Sequence, residues 1–177
     1  WFCADQMRFD TIAALGNSHI RTPNIDRLIQ NGVALENCYV QNQLCTPSRA
    51  SFLTGRYPAA HQVYRNGNAY FPDHEVLVTK ILADAGYDCG LIGKLHLSSA
   101  SSVETRPDDG YRLFKWCQNP GWEKVLGSNA YWEWLRHKKG VDPTTLFSST
   151  PPYLGTGVPA DLHQMAWCAE ARIDFIS

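Results

Sequence analysis

Asp73-His74-Glu75-Val76-Leu77-Val78-Thr79-Lys80-Ile81-Leu82-Ala83-Asp84-Ala85-Gly86-Tyr87-Asp88-Cys89-Gly90-Leu91-Ile92-Gly93 is the stretch on which the fold reading turns. Asp73 has the short polar side chain of a helix N-cap. Leu77, Ile81 and Ala85 then recur on one helical face, with Val78 and Leu82 beside them. Gly86 ends the helix, and residues 87–93 read as an apolar strand. Outward from this unit the pattern repeats. Thr22-Pro23 is a cap followed by proline at the first helical position; Ile25, Leu28 and Ile29 keep helical spacing until Gly32. Thr46-Pro47 starts a second short helix that runs to about Thr54, before Gly55. Residues 1–4 and 33–40 read as further strands. Strand–helix alternation of this kind predicts an α/β fold with a largely parallel sheet flanked by helices.

Residues 98–159 are less regular, with Ser-rich and Pro/Gly-rich stretches. They hold Trp116, Trp122, Trp132 and Trp134, four of the six tryptophans. A long aromatic loop region of this kind often walls a site, although aromatic side chains pack cores more often than they bind ligands. Asn129 is placed to cap a helix through Lys138, and residues 162–176 read as a final amphipathic helix.

Lys plus Arg number 16 and Asp plus Glu 17 among 177 residues, for a net charge of −1. That balance argues against a nucleic-acid partner or a polybasic membrane surface. With 44% hydrophobic and 19% charged residues the composition is that of a globular domain. No apolar run reaches the roughly 18 residues of a membrane span, and no basic-then-apolar leader is present. The chain opens in apolar residues and closes on an amphipathic segment, which suggests a piece of a longer polypeptide. Localisation therefore stays open between cytoplasmic and periplasmic or secreted. Six cysteines, at 3, 38, 45, 89, 117 and 168, include no Cys-x-x-Cys pair, so their spacing does not suggest zinc. Cys3, Cys38 and Cys89 lie in apolar runs and are expected as buried thiols. Cys45 stands in a polar loop.

Three segments carry reactive groups. Ligands of open α/β sheets bind beyond the carboxyl ends of the strands, and there Asp5-Gln6 follows the first strand, Cys45 opens a helix, and Lys94 and His96 follow the third strand. Asp5 and Gln6 offer hard oxygen donors suited to Ca²⁺ or Mg²⁺; an Asp that caps a turn is the plainer alternative. A helix N-terminus and a nearby cation favour both an anion and a thiolate. With Arg49 one turn on, Cys45 is a candidate nucleophile; a loop cysteine beside an exposed Arg is the plainer reading. Lys94 and His96, two apart, face one side of an extended segment. Lys94 offers a cation for a charged substrate and His96 an acid or base near neutral pH. The other histidines, at 19, 61, 74, 137 and 163, read as structural, with His163 the weak exception.

Cys45-Thr46-Pro47-Ser48-Arg49-Ala50-Ser51-Phe52-Leu53-Thr54-Gly55-Arg56 resembles the sulfatase signature: Cys, any residue, Pro, Ser, Arg, then Leu-Thr-Gly. Asp5-Gln6-x-Arg8-x-Asp10 looks like that family's metal-binding opening. Thr22-Pro23-Asn24-Ile25-Asp26-Arg27-Leu28 matches its first helix, and Gly93-Lys94-Leu95-His96-Leu97 looks like its Gly-Lys-x-His segment. These stand in the family's order. The resemblance is strong over residues 1–97 and looser from about Pro159. It implies an alkaline-phosphatase-like α/β fold, of which residues 1–177 would be the N-terminal portion: a core at 1–97, a variable aromatic region at 98–159 and a helix at 160–177.

The resemblance also implies a chemistry. In sulfatases the signature Cys is oxidised to formylglycine by a formylglycine-generating enzyme. The hydrated aldehyde, activated by a divalent cation, attacks the sulfur of a sulfate monoester, and its second hydroxyl then expels sulfate. Cys45 would be the formylglycine precursor and, with Asp5 and Gln6, a ligand of the cation, Ca²⁺ by family expectation, or Mg²⁺ or Mn²⁺. Arg49 would stabilise the formylglycine and the metal-bound site, Lys94 would bind a sulfate oxygen, and His96 would assist the diol chemistry or contact the ester. The substrate would be a small-molecule or carbohydrate sulfate ester.

Two departures stand out. Gln6 replaces a second Asp, a form similar to the choline-sulfatase and phosphonate monoester hydrolase branch, in which an Asn matching Asn66 borders the substrate. Phosphonate or phosphate diesters are therefore the alternative substrates. The family's further metal ligands, and a second Lys and His, have no matching segment, so the isolated 177-residue chain is expected neither to fold stably nor to turn over substrate. A non-catalytic binding domain on the same fold is the reading from another class. A thiol redox protein has only an isolated Cys45 in its favour.

Overall fold

The computed structural model describes residues 1–68, 71–98, 104, 108–119, 129–146 and 157–177. They fall into two compact units, Trp1–Val40 and Gln41–Ser177.

In the first unit a 3-10 turn, Ala13–Leu15, precedes helix α1, Pro23–Asn31. Pro23 takes the first helical position, as its fixed φ favours. Thr22 sits at the N-cap, but its hydroxyl does other work than capping α1. It accepts from the Ala13 amide (2.8 Å) and donates to Asp26 Oδ1 (2.8 Å). Asp26 Oδ1 also accepts from the Ala14 amide, so the pair ties the turn to α1. Gly32 closes the helix. The strands expected at 1–4 and 33–40 do not form. A strand is stable only within a ladder, and neither segment has a strand partner among the described residues. Their side chains are exposed accordingly, Trp1 at 95%, and Cys3 and Cys38 are exposed where buried thiols were expected.

The second unit contains α2 (Cys45–Thr54), α3 (Pro58–His61), α4 (Val78–Asp84), β1 (Cys89–Gly93), β2 (Tyr111–Trp116), α5 (Ala130–Lys139), a 3-10 turn (Pro143–Thr145) and α6 (Gln164–Ile176). The α/β class is as expected. Among the described residues the sheet has two strands, β1 and β2, which pair in parallel from Gly90 opposite Leu113 to Gly93 opposite Trp116.

Helix α4 begins at Val78 and not after Asp73, because residues 72–75 close a turn and Leu77 stays extended to bury its side chain in the core. The expected shared face divides: Leu77 is buried while Ile81 is exposed. Cys89 is half-buried, with its thiol toward the Thr79 carbonyl.

Asn129 caps α5 as its position predicts, accepting from the Trp132 amide, and Gly140 ends it in the left-handed region. His163 caps α6: its Nδ1 accepts from the Met165 amide.

Two apolar cores fill this unit. One gathers Ala50, Val63, Phe71, Leu77, Leu95, Leu97 and Trp116. The other gathers Cys117, Tyr131, Trp132, Trp134, Leu135, Trp167 and Cys168. Trp116, Trp132 and Trp134 are thus core residues, each large side chain contributing about 1.5–3 kcal/mol by burial. Trp122 lies outside the described residues.

Candidate active site

The first core holds the signature helix and the segment after β1 in one place. Helix α2 starts at Cys45 itself, with Leu44 as an extended N-cap that provides no side-chain hydrogen bond. The cap expected of Thr46 is absent because Thr46 lies inside the helix, with its side chain fully buried. A tertiary cap replaces it. Asn66 Oδ1 accepts the Thr46 amide at 2.9 Å, satisfying one of the donors that a helix start leaves without an intrahelical partner. Asn66 therefore sits one residue from Cys45, which is half-buried. Arg49, one turn on, is buried and donates from Nη1 to the Lys94 carbonyl at 2.7 Å. Cys45, Arg49, Asn66 and the Lys94–His96 segment are thus linked by two side-chain-to-backbone bonds.

Gly93 ends β1 with φ 113°, and the chain leaves through Lys94, which is half-buried. Leu95 and Leu97 anchor the next turn in the core. His96 is buried, with φ 60°. That left-handed backbone, rare for a non-glycine residue, ends the extended run from which a shared side for Lys94 and His96 was read. The turn closes on a residue that the sequence did not single out. Glu104, 2% exposed, accepts the amides of His96 (2.5 Å), Leu97 (2.5 Å) and Ser98 (2.9 Å), and its Oε2 also accepts the Trp116 indole N–H (3.1 Å). A single acid among serines and threonines has no periodicity to betray it.

A second pair has the look of a hydrolytic dyad: Ser51 Oγ and His61 Nε2 lie 3.0 Å apart, both buried. The hydrogen bonding runs the wrong way for catalysis. His61 Nδ1 accepts from the Val63 amide, so in the neutral ring Nε2 carries the proton and donates to Ser51. Burial pushes the His61 pKa down against an opposing pull from Glu75, which keeps the ring neutral. Glu75 itself is buried and paired with Arg56 at 2.7 Å. This cluster braces α2 against α3.

Asp5 and Gln6 belong to the Trp1–Val40 unit. Gln6 adopts φ 53°, in the turn that follows residues 1–4. Arg8 grips Asp10 through two hydrogen bonds, 2.9 and 2.6 Å, which lowers the Asp10 pKa and commits its carboxylate. Among the described residues no group of three His, Cys, Asp or Glu side chains gathers at metal-binding distance. Asp5 and Gln6 carry hard oxygen donors, which fit a cation such as Ca²⁺, but they make up part of the 6–8 ligands that ion takes.

The sequence profile of the Sulfatase family matches residues 1–164. The steryl-sulfatase of Homo sapiens is 41% identical over 112 residues, 58% of this chain and 19% of that protein. The arylsulfatase of Clostridium perfringens (strain 13 / Type A) is 30% identical over 183 residues, 97% of this chain and 38% of that protein. The chain thus spans between about a fifth and two fifths of the length of these relatives. Among solved structures, the phosphonate monoester hydrolase of Agrobacterium radiobacter superposes with a TM-score of 0.73 over 98% of this chain and 36% of that one, at 24% identity, a likeness of fold. The fold is therefore the alkaline-phosphatase-like α/β fold that the sequence suggested, and the chain belongs to the Sulfatase family.

Proposed function

We propose that the whole protein hydrolyses sulfate monoesters, with residues 1–97 supplying the nucleophile end of the site. The observation that carries this reading is the linkage of the signature helix to the Lys94 segment through Arg49, with Asn66 holding the residue beside Cys45. Cys45, oxidised to formylglycine by a formylglycine-generating enzyme, supplies the nucleophilic oxygen. By the family resemblance, Asp5, Gln6 and Cys45 would be the residues that hold a hard divalent cation, Ca²⁺ in first place and Mg²⁺ or Mn²⁺ as substitutes. Held there, such a cation would supply stabilisation of the charge on the oxygens of the transferring group.

The chain's own groups do the rest. Arg49, buried against the Lys94 carbonyl, stabilises the formylglycine and the metal-bound site and ties the signature helix to the Lys94 segment. The Lys94 ammonium pairs with a sulfate oxygen, and His96 moves a proton at the nucleophile or at the ester oxygen. Asn66 holds the start of α2 and borders the substrate. A small-molecule or carbohydrate sulfate ester is the substrate class. Residues 98–159 would be the variable part of the sequence, and α6 (Gln164–Ile176) a supporting helix.

The Asp5-Gln6 pair and Asn66 favour a second reading, hydrolysis of phosphonate or phosphate diesters at the same site. The test is to express the whole protein with a formylglycine-generating enzyme, weigh the peptide that contains Cys45, and compare rates on an aryl sulfate and an aryl phosphonate monoester. An aldehyde mass with faster sulfate turnover supports the sulfatase reading. An aldehyde with faster phosphonate turnover moves the assignment to the second. An unmodified thiol, in cells that convert a control sulfatase, removes the formylglycine mechanism and favours a binding domain.

A further inference from the structure

We propose that Glu104 is a positioning residue: its carboxylate fills the backbone concavity at 96–98, fixes His96, and denies that concavity to the substrate's anion. Three successive amides, of His96, Leu97 and Ser98, converge on one carboxylate. With His96 in the left-handed region, successive N–H groups of this kind form a nest, a backbone device that binds anions. Here the anion is the protein's own side chain. Its environment asks for a carboxylate and not an amide. The amides of 96–98 and the Trp116 indole are all donors, and the Ser98 hydroxyl lies within reach at 3.5 Å. An ionised carboxylate is acceptor-only with about four lone-pair sites, whereas Gln would turn an NH₂ against N–H donors. Glu104 is also almost wholly buried, so its charge is met by these dipoles and not by water.

The consequence rests on the hydrolase reading above. Substrate recognition then falls to side chains, because the anion-binding turn of backbone at 96–98, beside Lys94, is already filled. Loosening the turn should move His96 without removing it.

The test uses the whole matured protein and two variants, Glu104→Gln and Trp116→Phe. Amide exchange is followed in peptides covering 95–98 and 111–116, with kcat and KM on an aryl sulfate. For Glu104→Gln we expect exchange at 96–98 to accelerate at least about tenfold while 111–116 keeps its protection. The same variant should lower kcat about 10- to 100-fold, as displacement of a reacting group does, with KM within about threefold. Trp116→Phe removes one donor and leaves the charge, so it should act in the same direction and less strongly. If Glu104→Gln does not fold, Trp116→Phe decides by the same two readouts. Unchanged exchange at 96–98 overturns the proposal, and so does faster exchange with unchanged kcat, which would leave Glu104 a structural residue only. A wild type that turns over neither ester fails the hydrolase reading and the catalytic half of this one, while the exchange rates still report whether Glu104 holds the turn.

Discussion

Asn66 reaches from 20 residues away to satisfy an amide that no side chain of α2 satisfies. Replacing it with Ala should cost about 1 kcal/mol, the usual value of a lost cap, and lower the Tm of the whole protein by roughly 1–2 °C. Asn66→Asp, which keeps the acceptor, should recover most of that; calorimetry of both variants checks it. His61 gives a pH signature. Its folded pKa lies below the unfolded value of about 6.5, so the unfolded chain takes up the proton first. The stability it confers is present above about pH 6.5 and is lost as pH falls toward the folded pKa. Denaturant midpoints between pH 7.5 and 5 should fall with acid in the wild type and fall less in His61→Asn. Under the proposed chemistry Cys45→Ala should lower kcat by at least about four orders of magnitude, as loss of a nucleophile does. A residual rate near wild type would exclude Cys45 from that role.

Between elements, α6 packs closely on β1. A Cβ built on Gly90 would lie 3.0–3.2 Å from three carbons of the Phe175 ring, and the Arg112 guanidinium covers that ring from β2. Gly90→Ala should therefore cost about 1–3 kcal/mol through overpacking, seen as a lower urea midpoint with an unchanged m-value. What the sequence made legible at this scale followed local chemistry: Pro23 at the start of α1, Asn129 capping α5, Gly55 closing α2. What it hid depended on distant partners. β2 alternates only weakly and lies among irregular residues, so its pairing with β1 had no local sign. The beginning of α4 was obscured because Leu77 is worth more to the core than to the helix. Residues 1–4 and 33–40 carry strand-like side chains without a ladder in which to use them. At the site, the signature and Lys94–His96 were legible because they are motifs, whereas Glu104 and Trp116 act by placement alone.

At the scale of the molecule, Trp1, Phe2, Phe9, Val33, Leu35 and Tyr39 all expose most of their surface. Soluble monomers seldom leave so much apolar area open. The 177-residue chain on its own should bind a hydrophobic dye strongly, and removing residues 1–40 should lower that signal; equal fluorescence from both would contradict this. The seal on the signature helix bears on the life history of the protein. Thr46, Pro47, Arg49 and Ala50 are buried in the finished fold, and the Thr46 amide is spoken for. An oxidising enzyme that grips the peptide around Cys45 would need those residues extended and in the open. Under the proposed chemistry, maturation and folding would compete from the moment this segment is synthesised, and a faster-folding variant would yield a larger share of molecules that are well formed but permanently inert.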